Sequence, residues 1–127
     1  MENEKRIYYH NTDCGGVVYY AEYLKFLEEG RTLYLEEKGI SVKELMDHDI
    51  FFVIARQEID YKLPAFYGDI LQIDTRITNI SRARIDFEYE IRNQNNKTVA
   101  FSKTVLVCID KNFKPMPIPE KVRTKLI

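Results

Sequence analysis

The 127 residues are a usual length for one domain, and such a chain buries roughly two thirds of the surface its unfolded form exposes, so residues 1–127 are read as one domain around one core. Hydrophobic residues make up 45% and charged residues 31%, with a formal net charge of -1; this excludes a disordered polyelectrolyte and a broad positive field for nucleic acid or an anionic membrane. The two cysteines, Cys14 and Cys108, are too few and too far apart for a disulfide-stapled scaffold or a zinc ribbon, so a reducing, cytoplasmic setting is expected.

Taken in chain order, residues 1–6 lack the apolar core of a signal peptide, and no apolar run approaches the ~20 residues of a membrane helix. Residues 5–10 read as a first strand. Residues 21–38 combine strong helix formers with a stripe of Tyr23, Leu24, Leu27 and Tyr34, widened by Phe26, Leu33 and Leu35; Gly39 supplies the stop. Ser41-Val42-Lys43-Glu44 has the spacing of a capping box, with Ile40 and Leu45 placed as a hydrophobic staple, so a short second helix follows. The period then changes to two: Ile85, Phe87, Tyr89 and Ile91 alternate with charged residues over 83–94, and 51–62, 70–80 and 97–110 are rich in β-branched and aromatic residues. Asn95-Asn96 marks a turn, and the proline-rich 114–119 a bend before a terminal helix. This order predicts an α+β fold, an antiparallel five-stranded sheet curved around one long helix. A single helix cannot cover all of such a sheet, so a homo-oligomer is expected.

The informative stretch is Tyr8-Tyr9-His10-Asn11-Thr12-Asp13-Cys14-Gly15-Gly16-Val17-Val18-Tyr19-Tyr20, between the first strand and the long helix. Consecutive glycines let a ligand approach the backbone, and amides exposed at a helix start polarise a carbonyl oxygen. Acyl transfer to water needs a group that delivers or becomes an oxygen nucleophile, plus donors aimed at the developing oxyanion. Asp13 and the amides after it could supply both, while Thr-Asp-x-Gly-Gly is equally the composition of a plain turn.

The segment YYHNTDCGGVVYYAEYLKFLEEGR resembles the signature of acyl-CoA thioesterases of the 4-hydroxybenzoyl-CoA and YbgC-like type, and Glu58–Ala65 with Asp69 resembles their second block. The resemblance implies the hot-dog fold, with pairs of sheets joined edge to edge and commonly a dimer of dimers. It implies an acyl-CoA substrate, or an acyl-carrier-protein thioester, and no metal or cofactor. The catalytic Asp falls on Asp13, acting as general base or nucleophile, and the tyrosine of the preceding strand falls on Tyr9. Tyr20 stands where many YbgC-like members have His and the 4-hydroxybenzoyl-CoA type has Tyr; in the latter, the backbone amide at this position helps hold the thioester carbonyl. Gly15, Gly16 and Val17 are then the substrate-binding backbone, and Arg82 and Arg84 are candidates for CoA phosphates.

Rival readings are weaker. His10 and Cys14 as a nucleophilic pair would lie ~13 Å apart on an extended segment. Asp47-His48-Asp49 lacks a further cluster to complete a metal site, and Glu28 with Arg31 has the spacing of an ion pair on one helix. An acyl-thioester dehydratase would need a base beside the thioester, often His, and no His stands at the matched loop position, Tyr20; a non-catalytic acyl-CoA-binding regulator would be marked by loss of the carboxylate, and Asp13 is present.

Overall fold

In the computed structural model, which describes residues 1–127, the elements run β1 (Glu2–Arg6), a 3-10 turn (Tyr9–Asn11), α1 (Glu22–Glu37), α2 (Val42–Asp47), β2 (Phe51–Tyr61), β3 (Ile70–Ile80), β4 (Arg84–Arg92), β5 (Thr98–Ile109) and α3 (Glu120–Leu126). The five strands form one antiparallel sheet in the order β1-β3-β4-β5-β2. This is the α+β hot-dog architecture: one long helix against one sheet.

The alternation over β4 sorts its side chains as expected. Ile85, Phe87, Tyr89 and Ile91 are all buried and belong to a cluster of 21 buried residues that also takes Tyr23, Phe26, Leu27 and Leu35 from α1. Leu24 and Leu33 instead face solvent. The outer sheet face carries Arg84, Asp86, Glu88, Glu90 and Arg92, so it is wetted by charge. The unpartnered part of the sheet is its edge, where β2 runs eleven residues with Val53 and Ile54 exposed.

Close approach of α1 to the sheet depends on Gly30. A Cβ there would lie 2.7 Å from Thr75 Oγ1 and 3.2 Å from Ile73 Cγ2 on β3, so only glycine lets the helix lie this near. Beside it, Arg31 is buried toward Tyr89, whose hydroxyl pKa rises through burial and is partly offset by Thr104 and by Arg31. The expected Glu28–Arg31 pair does not form: Arg31 Nη1 has no partner, because the guanidinium turns into the core rather than along the helix surface.

The Ser41 cap forms as the sequence predicts, its hydroxyl accepting Glu44 N–H at 3.2 Å, with Ile40 and Leu45 buried beside it. The first strand differs from the reading. β1 is Glu2–Arg6, and residues 9–11 form the 3-10 turn instead of continuing it. The β1–β3 register ends at Arg6, opposite the first residue of β3, Ile70, and the main-chain bonding goes only one residue further, Ile7 N–H donating to Asp69 C=O at 2.8 Å and Gly68 N–H to Ile7 C=O at 2.9 Å. Beyond that, Asn11 and Thr12 N–H turn back onto the carbonyls of Tyr8 and Tyr9. Tyr9 therefore sits on a turn, not on a strand.

Candidate active site

The segment 12–20 leaves the 3-10 turn, doubles back and enters α1. Its tip is a tight turn in which Gly15 N–H donates to Asp13 Oδ1 at 3.0 Å and Gly16 N–H to Asp13 C=O at 3.1 Å. Of the two glycines only Gly16 takes a positive φ, +75°, the left-handed conformation that disfavours a side chain. The plain-turn reading of Thr-Asp-x-Gly-Gly is thus met in its geometry, and the question becomes what the turn presents.

It presents an exposed carboxylate. Asp13 lies on the surface with Cys14 and Gly15, and the Asx-type bond to Gly15 uses only one of its oxygens. Main-chain bonds fix the loop's place: Asp13 N–H donates to Val17 C=O, Val18 N–H to Ala65 C=O, and Tyr67 N–H to Gly16 C=O, at 3.0, 2.8 and 2.9 Å. The second sequence block is therefore the floor on which the loop rests. Asp69 in that block serves the floor, its Oδ2 accepting Phe66 N–H at 2.9 Å and its Oδ1 accepting from Gln94 at 3.0 Å.

Next to the loop is an open apolar hollow of about 330 Å³, walled by Val17, Val18, Tyr20, Tyr23, Tyr61 and Leu63. Tyr61 Oη donates to Tyr20 C=O at 2.9 Å, which holds the tyrosine peptide against this wall. Burial, followed by the neighbouring Tyr61 and Asp69, pushes the Tyr23 hydroxyl up to about 12, and burial followed by Tyr20 raises that of Tyr61. Both are neutral donors at ordinary pH. Tyr19 N–H donates to Asn11 C=O, whereas the N–H groups of Val17, Tyr20, Ala21 and Tyr23 around the helix start donate to no protein acceptor. A free amide at the mouth of an apolar hollow is a donor for an incoming carbonyl oxygen.

The structure brings together Asp13, Gly15, Gly16, Val17 and Tyr20 on one loop, with the exposed Tyr9 ring at its base, edge-on to Tyr67 at 5.8 Å. Arg82 and Arg84 are not brought there within a subunit. They follow β3 at the end opposite the loop's floor, on the order of 30 Å along the strand at 3.3 Å per residue. Arg84 forms a two-point pair with Asp86, Nε to Oδ1 at 2.7 Å, and Arg82 lends its carbonyl to Ile118 and Arg123. Cys108 is buried and its thiol is pushed up to about 11 by that burial, so it is protonated and inert. No group of three or more His, Cys, Asp or Glu side chains is arranged to hold a metal, and no helix is long and apolar enough to cross a membrane.

Sequence reasoning passed over three residues here. Tyr61 was visible only as part of a matching block, and Asn11 and Glu22 looked like ordinary polar positions. The one signal available was that an amide two residues before Asp13 and a carboxylate opening a helix are both able to satisfy buried main chain.

Residues 9–126 match the model of the thioesterase-like superfamily. The chain belongs to that family. It is 35% identical over 118 residues to the acyl-CoA thioester hydrolase YbgC of Escherichia coli O6:H1, covering 92% of this chain and 88% of that protein. It is 34% identical over 125 residues to a 1,4-dihydroxy-2-naphthoyl-CoA hydrolase of Microcystis aeruginosa, covering 97% and 90%. Its fold matches the crystal structure of a 1,4-dihydroxy-2-naphthoyl-CoA thioesterase from Synechocystis with a TM-score of 0.92 at 28% identity, over 98% of this chain and 93% of that one. The resemblance to YbgC-like hot-dog enzymes is borne out, and the protein is a thioester hydrolase of the acyl-CoA type that these relatives represent.

Proposed function

We propose that this thioesterase cleaves acyl-CoA through Asp13, with the thioester carbonyl held by Tyr20 N–H and the acyl group in the tyrosine-walled hollow. The observation that carries the reading is the unpaired Tyr20 amide at the rim of that hollow, on the same loop as the exposed Asp13 carboxylate. Gly15, Gly16 and Val17 form the backbone over which the thioester lies, and Tyr9 borders it.

In the general-base form, Asp13 takes a proton from water as the water oxygen attacks the carbonyl carbon. The negative charge passes to the carbonyl oxygen, where Tyr20 N–H stabilises it; one such donor is typically worth ~10² to 10³ in rate. The tetrahedral species then collapses, the C–S bond breaks, and the thiolate leaves to take up a proton, giving a carboxylic acid and free thiol. In the nucleophilic form, Asp13 oxygen attacks first, the thiolate leaves, and water hydrolyses the resulting mixed anhydride. Both forms need Asp13 ionised. The exposed Tyr20 and Tyr61 rings can take a planar acyl group, so we assign an aromatic acyl-CoA as the preferred class, with acyl-carrier-protein thioesters as secondary substrates.

We further propose a homo-oligomer, paired through the exposed β2 edge and assembled as a dimer of dimers, in the cytoplasm. A long edge with exposed Val53 and Ile54 invites strand pairing, and only a neighbouring subunit could carry Arg82 and Arg84 to the CoA phosphates of another's loop.

The deciding experiment compares Asp13→Asn with Cys14→Ser by thiol release from a panel of aromatic and aliphatic acyl-CoAs. Asn keeps the size of Asp but neither accepts a proton well nor attacks, so kcat falls by ~10² to 10⁴. Cys14→Ser stays within a few-fold of the parent, on the order of a local perturbation. An active Asp13→Asn protein beside an inactive Cys14→Ser protein, both folded, would replace the carboxylate reading with a thiol one.

A further inference from the structure

Two buried polar residues that the chemistry above does not use close the base of the catalytic loop. Asn11 is 3% exposed and Glu22 9%. Asn11 Nδ2 donates to Glu22 Oε1 at 3.0 Å, and Asn11 Oδ1 accepts Tyr8 N–H at 2.8 Å. The Glu22 carboxylate accepts only, so it must face the amide nitrogen. Its second oxygen pairs with Lys25 at 2.8 Å, and His10 Nδ1 stands 3.5 Å from the same Asn11 nitrogen.

Main-chain bonds tie the same knot. Tyr19 N–H donates to Asn11 C=O at 3.1 Å, and Glu22 N–H donates to Tyr19 C=O at 2.9 Å. Tyr19 is therefore gripped at both ends of its backbone, once by each partner. With Tyr19 so held, Tyr20 N–H beside it is left without an acceptor. Asp13 stands two residues after Asn11, and Tyr20 two residues before Glu22, so one buried contact lies beneath both. An acidic residue in a first helical turn favours the helix dipole anywhere, but that alone requires neither burial nor a partner eleven residues away.

We propose that Asn11 and Glu22 are positioning residues for thioester hydrolysis, a clamp whose amide–carboxylate bond sets the Asp13 carboxylate and the free Tyr20 amide at their working separation. The proposal rests on the Asp13 reading. Neither residue touches the substrate; they act through the backbone they hold.

The pair can be broken and remade by charge. Asn11→Asp sets two carboxylates against each other, and Glu22→Leu leaves a buried amide with no acceptor. Asn11→Asp/Glu22→Gln exchanges donor and acceptor and restores one bond. A displacement of about 1 Å at reacting groups costs on the order of a hundredfold, so each of the two broken proteins is expected to lose roughly ten- to hundredfold in kcat. KM for the acyl-CoA should stay within about threefold, because neither Asn11 nor Glu22 lines the hollow. The exchanged protein should recover to within about threefold of the parent kcat.

A general loss of folding would move KM, melting temperature and the active fraction together, and would not be repaired by exchange. An exchanged protein that is folded, assembled and no faster than Asn11→Asp overturns the clamp, as does an Asn11→Asp protein of parent activity. Should Asn11→Asp fail to fold, the exchanged protein decides alone: recovery to within about threefold of the parent kcat upholds the clamp, and a folded exchanged protein about tenfold or more below the parent overturns it. Asp13→Asn in the same assay separates the two readings: if it stays active, the Asp13 mechanism and the clamp fall together; if it is dead while Asn11→Asp is fully active, only the clamp falls.

Discussion

Replacing Gly30 by Ala sets two effects against each other whose sizes can be read from the structure. Ala in a helix interior is favoured over Gly by ~0.5–1 kcal/mol. Against that, the new methyl group would stand 2.7 Å from Thr75 Oγ1 and 3.2 Å from Ile73 Cγ2. Both neighbours are fully buried on β3, with β1 and β4 on either side, so neither can yield into solvent. Overpacking of this kind costs ~1–3 kcal/mol, which leaves a net destabilisation on the order of 1 kcal/mol. For this chain length, unfolding entropy of about 2.1 cal/mol/K per residue converts that to a fall in Tm of roughly 4 °C. Scanning calorimetry of the parent, Gly30→Ala, Thr75→Ala and the double variant measures it. Removing the Thr75 hydroxyl makes room for the methyl, so the double variant should show a favourable coupling of at least ~0.5 kcal/mol. A Gly30→Ala protein that melts higher than the parent would mean that α1 has slack against β3, and the close-approach argument would be refuted.

Two further outcomes follow from the placement of the arginines and of β2. Replacing Arg82 and Arg84 together by Ala should raise KM for acyl-CoA more than it lowers kcat, since remote phosphate contacts supply uniform binding; an unchanged KM removes both from the site. Light scattering at micromolar concentration should give a mass several times the 15.1 kDa of one chain, and a monomer would leave the β2 edge unexplained.

Much of the fold was legible because it is written in local period. The alternation from Ile85 to Ile91 depends on nothing but the pleat, and the Ser41 cap depends only on residues three apart. The misread strand at 5–10 shows the limit. Tyr8 and Tyr9 have strand-like composition, but whether they pair depends on where β3 begins, which is about sixty residues away. Arg31 and Glu28 fail for a related reason: helical spacing allows a pair, yet the core offers the guanidinium a position beside Tyr89 that the spacing cannot reveal.

At the candidate site, Asp13 and Tyr20 were singled out through resemblance, since Thr-Asp-x-Gly-Gly alone is the composition of many turns. Asn11 and Glu22 stayed hidden because their partnership exists only once the chain has doubled back. A buried amide and an exposed one look the same in a row of letters. The free Tyr20 amide is likewise invisible, as it is defined by bonds its neighbours have already made.

The loop that bears Asp13 is fastened to residues 65–67 by peptide groups and by the Val18 side chain, which is buried in the same core as Ala65, and this separates two properties that evolution or an engineer would wish to change independently. Side chains at Val17 and Leu63 line the hollow, so on the proposed mechanism exchanging them would alter which acyl group is accepted without moving Asp13. On that reading a lineage carrying this chain would drift between substrates by single substitutions while the backbone kept Asp13 in place.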